Sequence, residues 1–410
     1  MTDVDVNLDG GTKKPALEIK NGSTTGLIIT VLIGFVLYFI LGSVQHVGQW
    51  FPYDQVAANA ETNLFYKGIW FLMNFSEPQF YAGVLASIGM IFGGFVAWRL
   101  SVRRSKYAGF DVCYGSNLWP WVFASQILSL GLAIFVLDYN SMFNGGEYTW
   151  IPTFISVVGA PPSIMLLYGP NYRALLTGSI LGGLICAPTA FWIMTRIIPL
   201  LGIPGVVGNV LTMAITGIII CQVCHILPCL ERVPSKTIEK DTPELSREEE
   251  LERMLKPTWF VRRVLADFSE PQFYGNEIAG LFIILGACLE WFLNSGHGAY
   301  ASGTIPAIIL SQFIAGGVGV YLYTHKFFEK GWYATYVPVV SVGPACVLMF
   351  GATIPVALFA GILGGIIGAP VAEFFGNRLP DHIHGTNANV LSMALSTTIV
   401  AIVMQALPWF

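Results

Sequence analysis

The chain has 410 residues, 54% of them apolar and only 11% charged, with a mean hydropathy of +0.63. A soluble domain carries roughly 25% charged residues, so water is not the main solvent of this protein. The net charge of −4 is too small to imply a nucleic-acid partner.

Several apolar stretches approach the ~20 residues that cross a bilayer as a helix. The expected fold class is therefore an all-α polytopic membrane protein with the lipid bilayer as its partner. Seven cysteines are scattered along the chain, and only Cys221 and Cys224 show CxxC spacing. They lie in an apolar run with no second pair, which points to helix packing rather than zinc or redox chemistry.

In chain order, residues 1–23 form a polar leader, expected in the cytoplasm. The first apolar run, within 24–48, lacks a convincing cleavage site and reads as a retained transmembrane helix. Five apolar segments follow in residues 62–230, near 79–98, 118–137, 150–168, 173–196 and 206–228. A polar break, 231–263, holds 16 of the 46 charged residues, eight of each sign. Its core, "SREEELERMLK", has the pattern of a solvated helix, and 231–254 is read as a cytoplasmic linker. Five more segments occupy residues 255–410, near 272–293, 304–324, 333–351, 354–376 and 387–408. Eleven spans are predicted.

The two groups of five correspond. "FSEPQFY" occurs at Phe75–Tyr81 and again at Phe268–Tyr274. Ser125-Gln126 matches Ser311-Gln312, "VVGAPPSIMLLYG" (157–169) matches "VVSVGPACVLMFG" (339–351), and "NVLTMAIT" (209–216) matches "NVLSMALS" (389–396). An internal duplication accounts for all of these.

Five spans per unit set the halves in opposite orientations. With a cytoplasmic N-terminus, this topology places 19 of the 21 basic residues on the cytoplasmic side, as the positive-inside rule requires. Making the third segment re-entrant instead leaves only about nine there. Equivalent loops also carry opposite charge: "RLSVRRSKYAG" against "NSGHGAYASG", and "LDYNSMFNGGEY" against "THKFFEKGWY". The expectation is two inverted-topology repeats of five helices plus an extra N-terminal helix, in the plasma (inner) membrane, with the C-terminus outside.

Inverted repeats are the hallmark of secondary transporters, whose sites lie near the midplane at interrupted helices. Some channels for small neutral solutes are built likewise. The five-plus-five count resembles several transporter superfolds in architecture alone, and no residue is carried over from them.

Candidate interruptions are Pro161 and Pro162 in the third helix of the first half and Gly343-Pro344 in that of the second. Pro188, followed by Thr189, and Pro370 play this part in the fourth helices. Proline frees a backbone carbonyl, which a membrane tolerates only where protein, water or ligand satisfies it. Simple kinks are the plainer alternative. The small-residue ladders "TGSILGG" (177–183) and "AGILGG" (360–365) on the same helices fit close helix packing. Gln126 and Gln312 can donate to and accept from a solute of mixed polarity, or join helices to one another. Ser156, Ser163 and Ser341 can add ligand contacts, or bond their own helix backbones.

Glu373 breaks the symmetry, since its counterpart is Phe191, and it reads as the deepest carboxylate. An intramembrane carboxylate is a functional-site hypothesis by default; Glu373 is assigned the coupling of H+ or Na+, the alternative being an ion pair with Arg378. Glu290 and Asp138 are placed near the outer boundary, in solvent. Asn209 and Asn389 are placed at the start of the last helix of each half, where asparagine caps well and can also contact a ligand in the pathway if that end faces the cavity.

In "FSEPQFY" the Ser-x-x-Gln spacing reads as a capping box opening the first helix of each repeat, on opposite faces of the membrane. The aromatic-rich segments upstream of it suit interfacial helices. Capping leaves Glu77 and Glu270 unexplained, and a pair of gates closing opposite mouths of one pathway is the sharper reading.

HExxH, GxSxG and Walker A sequences are absent, so an intramembrane enzyme is not expected and any ATP-driven activity would need a partner chain. The function predicted is a secondary transporter moving a small polar solute by alternating access, coupled to H+ or Na+ as the only cofactor and able to form an oligomer. A passive channel for a small neutral solute is the alternative.

Overall fold

The computed structural model describes residues 21–44, 46–235, 245–294 and 298–410. Most of the leader and the middle of the charged linker lie outside these. Among the described residues the regular secondary structure is helical, joined by turns and irregular stretches, apart from one bridge between Gln49 and Asn294.

Thirteen helices carry the architecture. After α1 (Thr24–Ser43) come α2 (Leu64–Met73), α3 (Val84–Val102), α4 (Trp119–Gly131), α5 (Ala160–Tyr168), α6 (Tyr172–Arg196) and α7 (Gly205–Ile226). The second series is α8 (Pro257–Asp267), α9 (Glu277–Leu293), α10 (Ile305–Lys330), α11 (Val342–Phe350), α12 (Ile354–Gly376) and α13 (Thr386–Gln405). Eight helices, α1, α3, α4 with its continuation to Val136, α6 to Leu201, α7, α10, α12 and α13, are long and apolar enough to cross a membrane. This makes the protein a multi-pass helical membrane protein.

The other three predicted spans are built differently. Helix α9 has 17 residues. The third segments are short helices preceded by a break: at Gly159, where Pro161 and Pro162 open α5, and at Ser341, one residue before α11. Each segment nevertheless runs the length of its neighbour. Tyr148 packs on Phe191 near the end of α6, while Tyr168 and Gly169 lie beside its start. Likewise Tyr333 bonds Glu373 near the end of α12, and Phe350 lies beside its start. Nineteen helical residues, from 173 to 191 or 355 to 373, cover about 28 Å.

Two expectations for the fourth helices divide. Pro188 and Pro370 sit inside α6 and α12, which run on without interruption; these prolines do not break their helices. The glycine ladders do pack: Gly182 meets Pro161 and Gly183 meets the Ser129 carbonyl, while Gly364 meets Pro338 and Gly365 the Ala315 carbonyl. Cys221 and Cys224 are free and buried within α7, as packing residues are.

The "FSEPQFY" copies do not open α3 and α9. Each forms a short 3-10 turn, Glu77–Gln79 and Glu270–Gln272, closed by a left-handed phenylalanine (Phe80 and Phe273, both φ 67°). Helix α3 begins only at Val84 and α9 at Glu277. The capping box is not formed, because the serine has a closer partner. Ser76 Oγ accepts from the Gly83 N–H and donates to the Gly83 carbonyl; Ser269 Oγ does the same with Asn276. Helices α2 and α8 lead into the molecular interior, with Trp70 and Met73, and Arg263 and Asp267, buried. They are not surface-lying interfacial helices.

Helices α3 and α9 cross antiparallel at backbone distance. A Cβ on Gly89 would meet the Phe282 carbonyl oxygen, one on Gly93 would come within 2.8 Å of Ala279 Cα, and one on Gly286 would meet the Leu85 carbonyl oxygen. Nothing but glycine fits these positions. Overpacking costs typically 1–3 kcal/mol, so Gly286→Ala is expected to lower stability by about that amount. Thermal unfolding of the detergent-solubilised protein measures it, and an unchanged midpoint would refute the close crossing.

Candidate functional site

At the centre, the two motif copies meet. Gln79 and Gln272 exchange side-chain amide hydrogen bonds, with Gln272 Nε2 donating to Gln79 Oε1 at 2.7 Å and the reverse bond shorter still. Each amide also donates to a backbone carbonyl of the other copy, Gln79 to Phe268 (2.7 Å) and Gln272 to Phe75 (2.8 Å). The copies were expected at opposite faces; they form one contact instead.

Gln126 and Gln312 brace this contact. Gln126 Nε2 donates to the Gln272 carbonyl (3.1 Å) and its Oε1 accepts from Tyr274 (3.1 Å). Gln312 Nε2 donates to the Gln79 carbonyl (3.2 Å) and its Oε1 accepts from Tyr81 (2.7 Å). Both side chains are fully buried, and neither lines the cavities described below. The bracing role displaces the ligand role.

Flanking the centre are two copies of one constellation. Glu77 Oε1 accepts from Trp150 Nε1 at 2.5 Å, and the Tyr300 hydroxyl bonds the same carboxylate. Glu270 accepts from Trp332 Nε1 at 3.1–3.2 Å. Trp150 packs edge-on against Tyr300, and Trp332 edge-on against Tyr114 (centroids 6.1 and 5.5 Å). In each case the tryptophan precedes the third segment of its own series, and the tyrosine comes from the other series.

Both tyrosines sit in left-handed turns: Cys113, Tyr114 and Gly115 at φ 52°, 56° and 84°, and Ala299, Tyr300 and Ala301 at φ 49°, 66° and 59°. For residues with a Cβ this conformation costs roughly 1–2 kcal/mol each. Such outliers concentrate at functional sites.

The environments of the two glutamates differ in charge. Arg263 forms ion pairs with both Asp267 (2.8 Å) and Glu270, and Thr335 donates to Asp267 (3.1 Å). At the corresponding positions around Glu77 stand Trp70, Asn74 and Thr153, a neutral chain in which Trp70 donates to Thr153 (2.9 Å) and Thr153 to Asn74 (2.8 Å). Among the described residues no cation pairs with Glu77, which is 2% exposed.

Two cavities flank the centre. One, of about 500 Å3, lies against the end of α6 and the start of α7 and is walled by Glu77, Trp150, Tyr300, Asn209 and Tyr336 among apolar residues. The other, of about 480 Å3, is walled by Tyr114, Trp332, Glu373, His384 and Asn389. Thr386, the first residue of α13, touches both. Phe273 on one side packs against His384 on the other at 6.2 Å.

The remaining predicted residues distribute unevenly. Asn209 and Asn389 are not helix caps: they lie a turn inside α7 and α13, facing the two cavities. Asn389 Nδ2 donates to the Tyr336 hydroxyl (3.1 Å); in the other copy Phe154 stands in the place of that tyrosine, and Asn209 Oδ1 is buried without a partner. Ser163 and Ser341 bond their own backbones, to Ala160 and Val337. Ser156 Oγ is buried and unpaired. Pro161, Pro162, Pro188, Thr189, Gly343, Pro344 and Pro370 line neither cavity, although the third segments do contribute Phe154, Val158, Val340 and Ala345 to the first.

Glu373 is not the deepest carboxylate; Glu77, Asp267, Glu270 and Glu290 are all more buried. It pairs with Lys326 (3.4 Å) and Lys330 and accepts from Tyr333 (2.7 Å), while Arg378 turns away to the Phe374 carbonyl and ring. Glu290 is buried rather than solvated. Its carboxylate accepts from the first N–H groups of α3, those of Val84 (2.8 Å), Leu85 (3.1 Å) and Ala86 (3.3 Å), as a carboxylate at a helix start does. Asp138 is exposed and pairs with Lys67.

Comparison with protein-family models finds no match, and comparison with curated proteins finds none either. The class is therefore carried by the fold: a multi-pass helical membrane protein with two matched buried carboxylate sites.

Removing one of two buried, mutually bonded amides leaves the other unsatisfied, at about 1–3 kcal/mol. Gln79→Leu and Gln272→Leu are each expected to destabilise by this amount, and the double variant by clearly less than the sum. Chemical unfolding of the four proteins in detergent tests this; strict additivity would show that the pair does not interact.

Proposed function

We propose that this protein is a secondary transporter that moves a small polar solute by alternating access, built from two inverted five-helix repeats behind one extra N-terminal helix. On this reading the eight long helices, α9 and the two third segments make eleven crossings. Helices α2 and α8 are half-helices that enter from opposite faces and end at the midplane. The N-terminus is cytoplasmic, the C-terminus lies outside, and the membrane is the plasma (inner) membrane. The Glu77 cavity then opens outward and the Glu373 cavity inward. The repeats are residues 62–230 and 255–410, joined by the 231–254 linker.

One observation carries this reading: the same Glu–Trp–Tyr constellation occurs twice, once on each side of a closed centre, each completed by a tyrosine from the other repeat. Sites matched across an inverted repeat, with the passage blocked between them, are what alternating access uses. The partition at Phe273, His384 and Thr386 favours a carrier over the passive channel. It likewise gives no reason to assign an enzymatic step. Coupling to H+ or Na+ falls to a carboxylate free to exchange its partner. Glu373, held by two lysines and a tyrosine, fits that role less well than Glu77, and the two motif glutamates take the place of gates on either side of the centre.

Asn209→Cys and Asn389→Cys, made separately in a Cys229→Ser background that removes the exposed native thiol, test the arrangement. A membrane-impermeant maleimide is expected to label Asn209→Cys in right-side-out vesicles and Asn389→Cys in inverted ones. Labelling of both from the same side would refute the inverted reading. In proteoliposomes, flux of a ligand found by thermal-shift screening is expected to saturate; linear, ion-independent flux would establish the channel instead.

A further inference from the structure

The chemistry that the Glu77 cavity accepts is legible from the two copies of its own constellation. In one copy the glutamate is compensated within the protein: Arg263 brings a guanidinium to Glu270, with Asp267 sharing the charge. In the other copy, Trp70 occupies the corresponding position and bonds Thr153, so among the described residues no cation reaches Glu77 from the protein side. A buried carboxylate left with neutral donors alone is costly, and a buried charge is normally paired. The side of Glu77 that remains open is the cavity.

A second polar residue lines the same space. Asn209 is 6% exposed, lines the cavity, and its Oδ1 has no hydrogen-bond partner. A carboxylate and an orphaned amide oxygen are both acceptors. The tryptophan and tyrosine donors near Glu77 are already engaged with it, while the Tyr336 hydroxyl accepts from Asn389 and keeps its own proton to donate. Among the residues that line the cavity Glu77 is the one acid or base, so it is the group that a cationic solute would meet. The rest of its wall is aromatic and thioether: Phe80, Phe154 and Phe273, with Met194, Met213 and Met393. Aromatic faces attract cations, and methionines adapt to an apolar body of irregular shape. A volume of about 500 Å3 lies within the range of small-molecule sites.

We propose that this cavity binds a solute carrying a cationic nitrogen group, an ammonium, amidinium or guanidinium, on an apolar body. The cationic group pairs with Glu77 and donates to Asn209 Oδ1, and the body packs against the methionine and phenylalanine wall. The proposal rests on the transporter reading for its purpose, but binding itself can be measured without transport.

Isothermal titration of the full-length protein in detergent tests it with three probes of one shape: benzylammonium, neutral benzyl alcohol and anionic benzoate. Benzylammonium is expected to bind saturably and the other two at least tenfold more weakly. Glu77→Gln is expected to weaken benzylammonium at least tenfold, and Asn209→Leu by threefold or more. Asp138→Asn, which removes an exposed carboxylate outside the cavity, leaves its affinity unchanged. The thermal midpoint of each unliganded variant reports folding, and if Glu77→Gln does not fold, Asn209→Leu carries the test. Benzyl alcohol or benzoate binding as tightly as benzylammonium would overturn the proposal, as would Glu77→Gln binding it unchanged. No saturable binding up to roughly 10 mM, weaker than specific sites of this kind, would overturn it too. A parallel flux assay separates the two readings. Binding without flux in proteoliposomes removes the transporter and keeps the cation site; flux of a neutral solute with no cation binding removes only the cation site.

Discussion

Everything at the centre of this protein depends on satisfying polar groups where no water reaches them. Gln79 and Gln272 are fully buried, and a primary amide there must place two donors and its carbonyl oxygen or lose the full cost of desolvation. Two identical turns facing each other solve this together. Each amide gives one N–H to the other's carbonyl oxygen and one to the other's backbone. The contact closes only if both turns adopt the same conformation, which explains why Phe80 and Phe273 share one left-handed geometry. It also explains the second tier, since Gln126 and Gln312 tie down the carbonyls of the same two turns. A sequence repeated so closely is what a self-complementary contact demands.

That neutral, matched centre makes the charge difference on its flanks informative. Trp70 and Arg263, Asn74 and Asp267, hold corresponding places, yet one set is neutral and the other carries an ion pair. Breaking a buried pair by removing one partner leaves an uncompensated charge. Arg263 and Asp267 therefore belong together, and their joint absence around Trp70 keeps that copy neutral. The scaffold is shared, while the charges around the two glutamates differ.

How much of this the chain discloses depends on which interactions are local. The apolar spans, the glycine ladders and the breaks close to Pro161 and Pro344 are visible because their causes lie within a few residues. Ser76 and Gln79 mislead for the opposite reason. Their spacing is that of a local cap, but each has a better partner at a distance, Gly83 for the serine and Gln272 for the glutamine. Glu373 misleads similarly: depth in a linear span says nothing about Lys326 and Lys330 on a neighbouring helix. The missed site residues did leave a trace. Trp150 and Trp332 lie in the same 182-residue frame as the matched third segments, and Tyr114 and Tyr300 in the 186-residue frame of Ser125 and Ser311. Extending those frames outward by a few residues recovers them; the spatial meeting with Glu77 and Glu270 does not follow from the frames alone.

The tyrosines show why the two halves must act as one. Each sits in a left-handed turn whose strain its own half gives no reason to keep. Its ring packs against the tryptophan of the other half, so the strained turn is held by a contact that exists only when the halves are assembled. A movement of one half against the other would shift Tyr300 relative to Glu77 and Tyr114 relative to Trp332 together. The central amide pair lies between these contacts and joins the same two halves. Each glutamate site is therefore completed only across the halves, and so is the glutamine contact that separates them.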